Sequence, residues 1–256
     1  MTMFGYNAQF LHVNRVPGIF ITGTDTGVGK TYFGTTLARS VTLLGGKICP
    51  RKPIESGCTE YGGILTPNDA IALQHASNLG DNIDVICAFR LKAIASPERA
   101  LLMEGRSVLL DELVRAAQRD LDDCDFWLVE GAGGWLSPIC SGATNADLAM
   151  ALGLPVVVVV GDRLGCLNHA LLIISDILYR SIPLAGIVLS QPEDYCNSDL
   201  NNTEDLRRWL GCPVDVMPFN PSLRFTLKQP TAISKKLLYR IALGSYLTPT
   251  LLVSRR

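Results

Sequence analysis

The chain has 256 residues, of which 48% are hydrophobic and 18% charged, and its formal net charge is -1 at pH 7. A chain of this length can bury roughly 70–75% of its unfolded surface, so it can form the large core of a compact α/β protein. The near-zero charge gives no electrostatic footprint for nucleic acid or an anionic membrane, and no apolar run approaches the ~20 residues of a membrane span, so neither is expected as a partner.

The beginning of the chain contains the strongest local pattern. Residues 1–17 have no secretory segment, and we expect an N-terminal extension followed by a single domain over residues 18–256. An organelle-targeting segment, suggested by Arg15 and the lack of acids, is the less favoured alternative for the extension. An apolar strand is predicted over Gly18–Thr22, and a loop rich in Gly and Thr leads from it to an apolar helical pattern that includes Phe33. Strand, Gly-Lys-Thr loop and helix in that order are typical of a P-loop. The loop begins at Gly23 and is one residue longer than the strict P-loop spacing.

Two side chains in this loop are suited to nucleotide chemistry. Lys30 is expected to reach the β- and γ-phosphates of ATP, and the hydroxyl of Thr31 is expected to bind Mg²⁺. Backbone N–H groups of the loop would wrap the phosphates. The neighbouring residues expected to contact the nucleotide are Thr26, Gly27, Val28, Gly29 and Tyr32. A glycine-rich turn that binds no nucleotide is the alternative, which the flanking strand and helix disfavour.

Six further apolar runs predict strands, with helical patterns between them. The runs are Lys47–Pro50, Val85–Phe89, Phe126–Val129, Pro155–Val160, Ala185–Leu189 and Val214–Met217. Nearly continuous apolar runs indicate strands that are covered on both faces, as in a parallel sheet. We therefore predict a three-layer α/β fold of the P-loop NTPase type, with a mostly parallel central sheet of about seven strands. Ligands then bind at the carboxyl ends of the strands.

Capping signals delimit several of the helices. The predicted helices are Thr66–Ser77, a helix beginning at Ser96-Pro97, a helix from Ser107 to about Leu121, and a helix from near Asn202 that ends before Gly211. The eight cysteines form no C-x-x-C pair, and several lie in apolar runs. We interpret them as buried thiols of a reducing compartment and expect a cytoplasmic protein.

Polar residues follow the second predicted strand and begin the next helix. Lys52 follows the strand directly, and although a lysine there is often a solvated surface charge, Pro53 and Gly57 indicate a shaped loop and favour a function. Asp69 has two interpretations. It is the acid of a capping box with Thr66, or it is a magnesium ligand.

The fourth predicted strand ends in an acid that is followed by glycines. Glu130 has the position expected of a Walker B carboxylate near the metal, and the loop Gly131, Ala132, Gly133 permits close approach of a ligand to the backbone. After the fifth strand, the helix that begins near Cys166 could hold a carboxylate with its first amides. His169 in that helix is interpreted as a packed or capping residue.

Five separated segments together resemble one family. They are GTDTGVGKT (Gly23–Thr31), KPIESG (Lys52–Gly57), NDAIALQ (Asn68–Gln74), VEGAGGW (Val129–Trp135) and GDRLGCLNHALL (Gly161–Leu172). In this order they are similar to dethiobiotin synthase, over residues 18 to about 190. The resemblance implies a ligase of biotin biosynthesis that uses ATP and Mg²⁺. Such an enzyme joins CO₂ to 7,8-diaminononanoate and closes a ureido ring, with release of ADP and phosphate.

The resemblance also implies roles for individual residues. Lys30 and Lys52 would hold the phosphates and the carbamate formed from the substrate amine, with Ser56 beside Lys52. Mg²⁺ would be shared by Thr31, Asp69 and Glu130. The remaining implied contacts are the amides of Gly131, Ala132 and Gly133 at the reacting end, and Cys166, Leu167 and Asn168 at the substrate's distal carboxylate across a homodimer interface.

Two positions depart from the family pattern. Members often have Asn where Ser190 stands, at the adenine-contacting end of the sixth strand, and some have Glu where Gly27 stands. A serine offers one hydroxyl where asparagine offers a paired amide, so we expect weaker selection of ATP.

Two other functions remain open from the sequence. A partition-type ATPase of the same superfamily usually has a second lysine five residues before the P-loop lysine, where this chain has Asp25. A related amide-forming synthetase would lack the pairing of KPIESG with GCLNHA.

Overall fold

A computed structural model describes residues 16–77, 80, 82–191, 200–218, 229 and 231–250. The predicted extension over residues 1–17 therefore lies almost entirely outside the described residues. Within the described part of the chain, no helix has both the length and the apolar character needed to cross a membrane.

The centre of the fold is a parallel sheet, which has six strands in the described residues. The strands are β1 (Gly18–Gly23), β2 (Ile48–Arg51), β3 (Phe126–Glu130), β4 (Val156–Gly161), β5 (Leu184–Ser190) and β6 (Asp215–Met217). Their spatial order is β6-β5-β4-β1-β3-β2. The P-loop strand β1 thus lies between β3 and β4, so the segments that follow all three strands meet at one edge of the sheet.

Apolar side chains cover both faces of this sheet. On β1, Phe20 packs into one layer of the core, whereas Ile19 and Ile21 pack into the other. The valines of β4 alternate in the same way, with Val156 and Val158 on the first side and Val157 on the second. This period of two on a strand buried on both sides accounts for the continuous apolar runs in the sequence.

Helices cover the two faces of the sheet. They are α1 (Lys30–Leu43), α2 (Asn68–Ser77), α3 (Ile83–Ile86), α4 (Pro97–Met103), α5 (Leu110–Ala117), α6 (Asn145–Leu152), α7 (Cys166–Tyr179), α8 (Asn202–Leu210) and α9 (Ala232–Ala242). Three short strand pairs lie outside the central sheet among the described residues. These pairs are Ile54–Glu55 with Phe89–Arg90, Thr59–Tyr61 with Ile64–Thr66, and Pro138–Cys140 with Ala143–Thr144.

The prediction of a strand over Val85–Phe89 was wrong, and it accounts for the difference between seven predicted and six observed central strands. The start of that run belongs to α3, where the side chain of Asn82 accepts a hydrogen bond from the N–H of Asp84. Only Phe89–Arg90 is extended, and it pairs with Ile54–Glu55. A short apolar run fits a helix turn as well as a strand, and here the cap at Asn82 selected the helix.

Two predicted helix starts also need correction. The helix predicted from Thr66 begins at Asn68, because Thr66 is the last residue of a short strand. The helix predicted from Ser107 begins at Leu110 and ends at Ala117, well before Leu121. Its start is set by Glu112, whose side chain accepts the N–H of Leu109. The starts of α4 and α8 were predicted correctly, and α8 ends before Gly211, its C-cap residue, which has φ 62°.

Candidate active site

The P-loop joins β1 to α1 in a conformation that requires glycine. Gly27 and Gly29 have φ values of 74° and 98°, which side chains rarely adopt. The first hydrogen bond of α1 runs from the N–H of Phe33 to the carbonyl of Gly29. The amides before it therefore lie at the N-terminal end of the helix, where the first turn contains no acid. Such an end stabilises an anion.

Lys30 extends along the inside of this loop. Its ammonium donates a hydrogen bond to the carbonyl of Asp25 at 2.8 Å, and the residue is 6% exposed. Burial, followed by the charge of Lys52, lowers the pKa of Lys30 to about 8. An anion bound in the loop would counter both effects and favour the charged ammonium.

A second lysine reaches the loop from β2 and connects two carboxylates. The ammonium of Lys52 lies 2.7 Å from Oε1 of Glu130 and 3.0 Å from Oδ2 of Asp69, and it donates to the carbonyl of Gly131 at 3.2 Å. Burial acts to lower the pKa of Lys52, but Glu130, then Asp69 and Glu55, raise it above its usual value. Lys52 is therefore a fixed positive charge.

The oxygen atoms near Lys52 are of the kind that binds a small hard cation. Oε1 of Glu130 accepts the hydroxyl of Thr31 at 2.9 Å, whereas Oε2 of Glu130 is buried and has no hydrogen-bond partner among the described residues. Oδ2 of Asp69 lies 3.0 Å from the same ammonium of Lys52. No group of three His, Cys, Asp or Glu side chains is gathered for a metal in the described part of the chain. Two carboxylates and a hydroxyl fit Mg²⁺, which usually keeps several waters.

Asp69 is held by contacts that the sequence did not reveal. Its N–H donates to Oε1 of Glu55 at 3.0 Å, and the N–H of Ala70 donates to Oε2 of Glu55 at 3.0 Å. Glu55 thus caps α2, and the carboxylate of Asp69 faces Lys52. Burial acts to raise the pKa of Asp69, but Lys52 and a hydrogen bond from Thr31 hold it below the usual range.

The glycine loop after β3 is shaped by Asn145, the first residue of α6. The amide of Asn145 donates to the carbonyls of Ala132 and Gly134 at 2.7 Å each, and its oxygen accepts the N–H of Ala132. A Cβ at Gly131 would come within 2.6 Å of that oxygen, so only glycine fits there. This role of Asn145 was not predicted from the sequence, although the capping-box pattern Thr144-x-x-Asp147 indicates the helix start that positions the residue.

These elements enclose a crevice of about 590 Å³. It collects the following predicted residues: Thr26, Gly27, Gly29, Lys30, Thr31, Tyr32, Lys52, Ser56, Asp69, Ala132 and Gly133. Ser56 lies in its wall, and its hydroxyl donates to the carbonyl of Ala95. Glu130 lies behind the wall with no exposed surface.

Other predicted residues do not line this crevice. Ser190 is 7% exposed at the end of β5, and a Cβ at Gly29 would come within 2.5 Å of its hydroxyl. Val28 packs into the core next to the P-loop strand, and Gly131 lies against Asn145 and Phe20. Cys166, Leu167 and Asn168 form the first turn of α7, which Gly165 precedes with φ 88°. The crevice and this helix start are therefore separate features of one protomer.

Comparison with known proteins identifies the proteins to which this chain is similar. A family model described as an AAA domain matches residues 17–223. The ATP-dependent dethiobiotin synthetase BioD of Ruthia magnifica subsp. Calyptogena magnifica is 37% identical over 213 residues, which cover 82% of this chain and 95% of the relative. The synthetase of the same name from Cellvibrio japonicus is 44% identical over 169 residues, which cover 66% of this chain and 74% of the relative.

Solved structures share the fold at much lower identity. The MinC:MinD cell division complex of Aquifex aeolicus contains a chain that matches with a TM-score of 0.51 and 14% identity, over 92% of this chain and 98% of that one. The pnob8 ParA structure matches with a TM-score of 0.53 and 11% identity, over 90% and 99%. At these identities the likeness concerns the fold alone, and it confirms the predicted P-loop NTPase type.

Proposed function

This chain belongs to the family of ATP-dependent dethiobiotin synthetases, and we propose that the crevice described above is where it performs that reaction. It joins CO₂ to 7,8-diaminononanoate with ATP and Mg²⁺, closes the ureido ring, and forms dethiobiotin, ADP and phosphate. The observation that carries this proposal is the placement of Lys52. Its buried ammonium lies between Glu130 and Asp69, at the mouth of the P-loop, where two anionic groups would have to meet.

The P-loop is the phosphate side of the proposed site. The amides from Thr26 to Tyr32 and the ammonium of Lys30 bind and orient the phosphates, because they combine a helix N-terminus with a buried positive charge. Thr31, Asp69 and Glu130 would hold Mg²⁺, and Oε2 of Glu130, which has no hydrogen-bond partner in the described part of the chain, supports this assignment. Bound ATP supplies the phosphoryl group that activates the carbamate.

Lys52 is the link between the phosphates and the substrate carbamate. Because its ammonium stays charged, it acts as a cation that stabilises anionic oxygen and does not accept a proton from the substrate amine. Its two carboxylate partners fix it before the substrate arrives, so little reorganisation is needed in the transition state. Ser56, Gly131, Ala132 and Gly133 form the reacting end, where Ser56 offers a hydroxyl. The N–H groups of Gly131 and Ala132 donate to the carbonyl of Ile21 and to Asn145, so these two residues shape the loop.

The start of α7 is proposed to hold the distal carboxylate of the substrate. Cys166, Leu167 and Asn168 form the first turn of a helix of 14 residues that has no acid in that turn. The N–H of Cys166 donates to the carbonyl of Arg163, and Leu167 and Asn168 offer the amides. These residues do not line the crevice of their own protomer. We therefore propose a homodimer in which one protomer binds the reacting amines and its partner binds the carboxylate.

Three further assignments complete the proposal. Residues 18–256 act as one domain after an extension over residues 1–17, and the protein works in the cytoplasm. The net charge of -1 agrees with small-molecule substrates and with the absence of nucleic acid or membrane partners. Ser190, the last residue of β5, has its hydroxyl next to Gly29 of the P-loop and contributes to the nucleotide site.

The test is phosphate release from ATP in the presence of diaminononanoate and bicarbonate, with each component omitted in turn. We expect release only when all of them and Mg²⁺ are present. Release that does not depend on the diamine would contradict the proposal and favour a switch ATPase.

A further inference from the structure

Glu55 is a buried carboxylate with no role in the reaction described so far. It is 6% exposed, and each of its oxygens accepts one backbone N–H at the start of α2. The donors are Asp69 to Oε1 and Ala70 to Oε2, both at 3.0 Å. A carboxylate at this position satisfies two amides that have no partner within the helix and also interacts favourably with the helix dipole.

Glu55 is itself held firmly by its backbone. It belongs to a short strand that pairs with Phe89–Arg90, and its carbonyl accepts the N–H of Leu91 at 2.9 Å. The same segment contains Lys52, three residues earlier. The segment Lys52–Glu55 therefore makes two contacts with one residue of α2, Asp69. Glu55 holds the backbone of Asp69, and Lys52 holds its carboxylate at 3.0 Å.

We propose that Glu55 is a positioning residue that fixes the backbone of Asp69 and thereby aims its carboxylate at the divalent-cation site formed with Thr31 and Glu130. The inference rests on the proposed metal role of Asp69. The side chain of Asp69 is 43% exposed, so burial alone does not hold it in one place. Because Glu55 fixes the backbone N–H of Asp69, the Cα of Asp69 has a defined position, and its carboxylate is placed next to Lys52.

A helix cap that only stabilises α2 is the competing account, and the two differ in one measurable respect. A positioning residue acts through Asp69, so its substitution has no further effect on cation binding once the carboxylate of Asp69 is gone. A cap that only stabilises the fold acts independently of that carboxylate. Any effects of the two substitutions on the free energy of cation binding would then be additive.

The experiment measures Mn²⁺ binding by electron paramagnetic resonance, with a non-hydrolysable ATP analogue bound and no turnover. The variants are Glu55→Gln, Asp69→Asn and the double variant. Thr231→Ala is the matched control, because the hydroxyl of Thr231 caps α9 by accepting the N–H of Ser234 at 3.1 Å. Should Glu55→Gln fail to fold by circular dichroism, Glu55→Asp, which keeps the charge but shortens the reach, replaces it.

We expect Glu55→Gln to weaken Mn²⁺ binding about tenfold, the lower end for the loss of a group that orients a metal ligand. The double variant should bind Mn²⁺ as Asp69→Asn does, and Thr231→Ala should bind as the wild type does. Unchanged binding in the Glu55 variant, or additive losses in the double variant, would overturn the inference. If Asp69→Asn itself leaves binding unchanged, the metal role of Asp69 fails together with the inference. The phosphate-release assay still tests the overall reaction.

Discussion

The ammonium of Lys52 and Oε1 of Glu130 lie 2.7 Å apart, and neither side chain is more than 3% exposed. Lys52 follows β2 and Glu130 ends β3, so this contact connects the carboxyl ends of two neighbouring strands. Oε1 of Glu130 also accepts the hydroxyl of Thr31 from the P-loop. One buried ion pair thus joins the phosphate loop, the proposed metal site and the proposed carbamate site.

The stability of the protein should depend on both members of this pair. Lys52→Met leaves the carboxylate of Glu130 buried without its cation, so we expect the free energy of unfolding to fall by about 3–5 kcal/mol. The double variant Lys52→Met with Glu130→Leu removes both charges and should recover much of that loss. Urea denaturation of the nucleotide-free protein measures the free energy of unfolding of both variants. Equal stability of the single and double variants would contradict this prediction.

The activity of the protein should depend on the charge of Lys52 in particular. We expect Lys52→Ala to lower kcat at least ~10²-fold, the scale for removal of one donor that acts in the transition state. Steady-state kinetics of the folded variant measure this, with Lys52→Arg as a variant that keeps the charge. A small change confined to KM would instead show that Lys52 binds substrate and transition state equally.

Lys30 should be essential for turnover and dispensable for folding. Within the described residues its ammonium donates one hydrogen bond, to the loop carbonyl of Asp25, and burial disfavours its charge. We expect Lys30→Ala to abolish turnover and to keep the wild-type circular dichroism spectrum. Lys47→Ala, at an exposed position outside the crevice, is the control and should be fully active. Near-normal turnover of the Lys30 variant would exclude its phosphate role.

Asn145 should support both the fold and the glycine loop that follows Glu130. Its side chain satisfies the carbonyls of Ala132 and Gly134, so Asn145→Leu leaves buried polar groups without partners. We expect a loss of about 1–3 kcal/mol per unsatisfied group in the free energy of unfolding, with a lower kcat. Thermal and chemical denaturation measure the first effect. Wild-type stability would show that water or another group replaces the asparagine.

Ser190 should weaken the discrimination between nucleotides. A hydroxyl offers one donor and an acceptor, whereas the asparagine of many family members offers a paired amide that can match one base edge. We expect the ratio of kcat/KM for ATP to that for other nucleoside triphosphates to rise in Ser190→Asn. Strict ATP preference in the wild type, by direct assay of each nucleotide, would contradict the prediction.

The sequence predicted those parts of the site that depend on local order along the chain. The P-loop, Lys52 and Glu130 each follow an apolar strand, and parallel strands bring their carboxyl ends to one edge. Their spatial proximity therefore followed from the pattern of strands. The short run at Val85 was misassigned because five apolar residues have no period that separates a helix turn from a strand.

The sequence patterns did not predict contacts between residues that are far apart along the chain. Asp69 fitted a capping box with Thr66, but the cap comes from Glu55, 14 residues earlier, through the side chain of another segment. Asn145 likewise shapes the glycine loop from 13 residues later. Each contact depends on how two loops pack at the sheet edge, which neither helix nor strand periodicity encodes.

We propose that this crevice uses ATP to incorporate CO₂ as the ureido carbon of dethiobiotin. The most direct measurement is mass spectrometry of the product formed from diaminononanoate, ATP, Mg²⁺ and ¹³C-labelled bicarbonate. We expect dethiobiotin with one labelled carbon and one phosphate released per product molecule, and no product from the Lys52→Ala variant on the same timescale. Phosphate release without labelled product would contradict it.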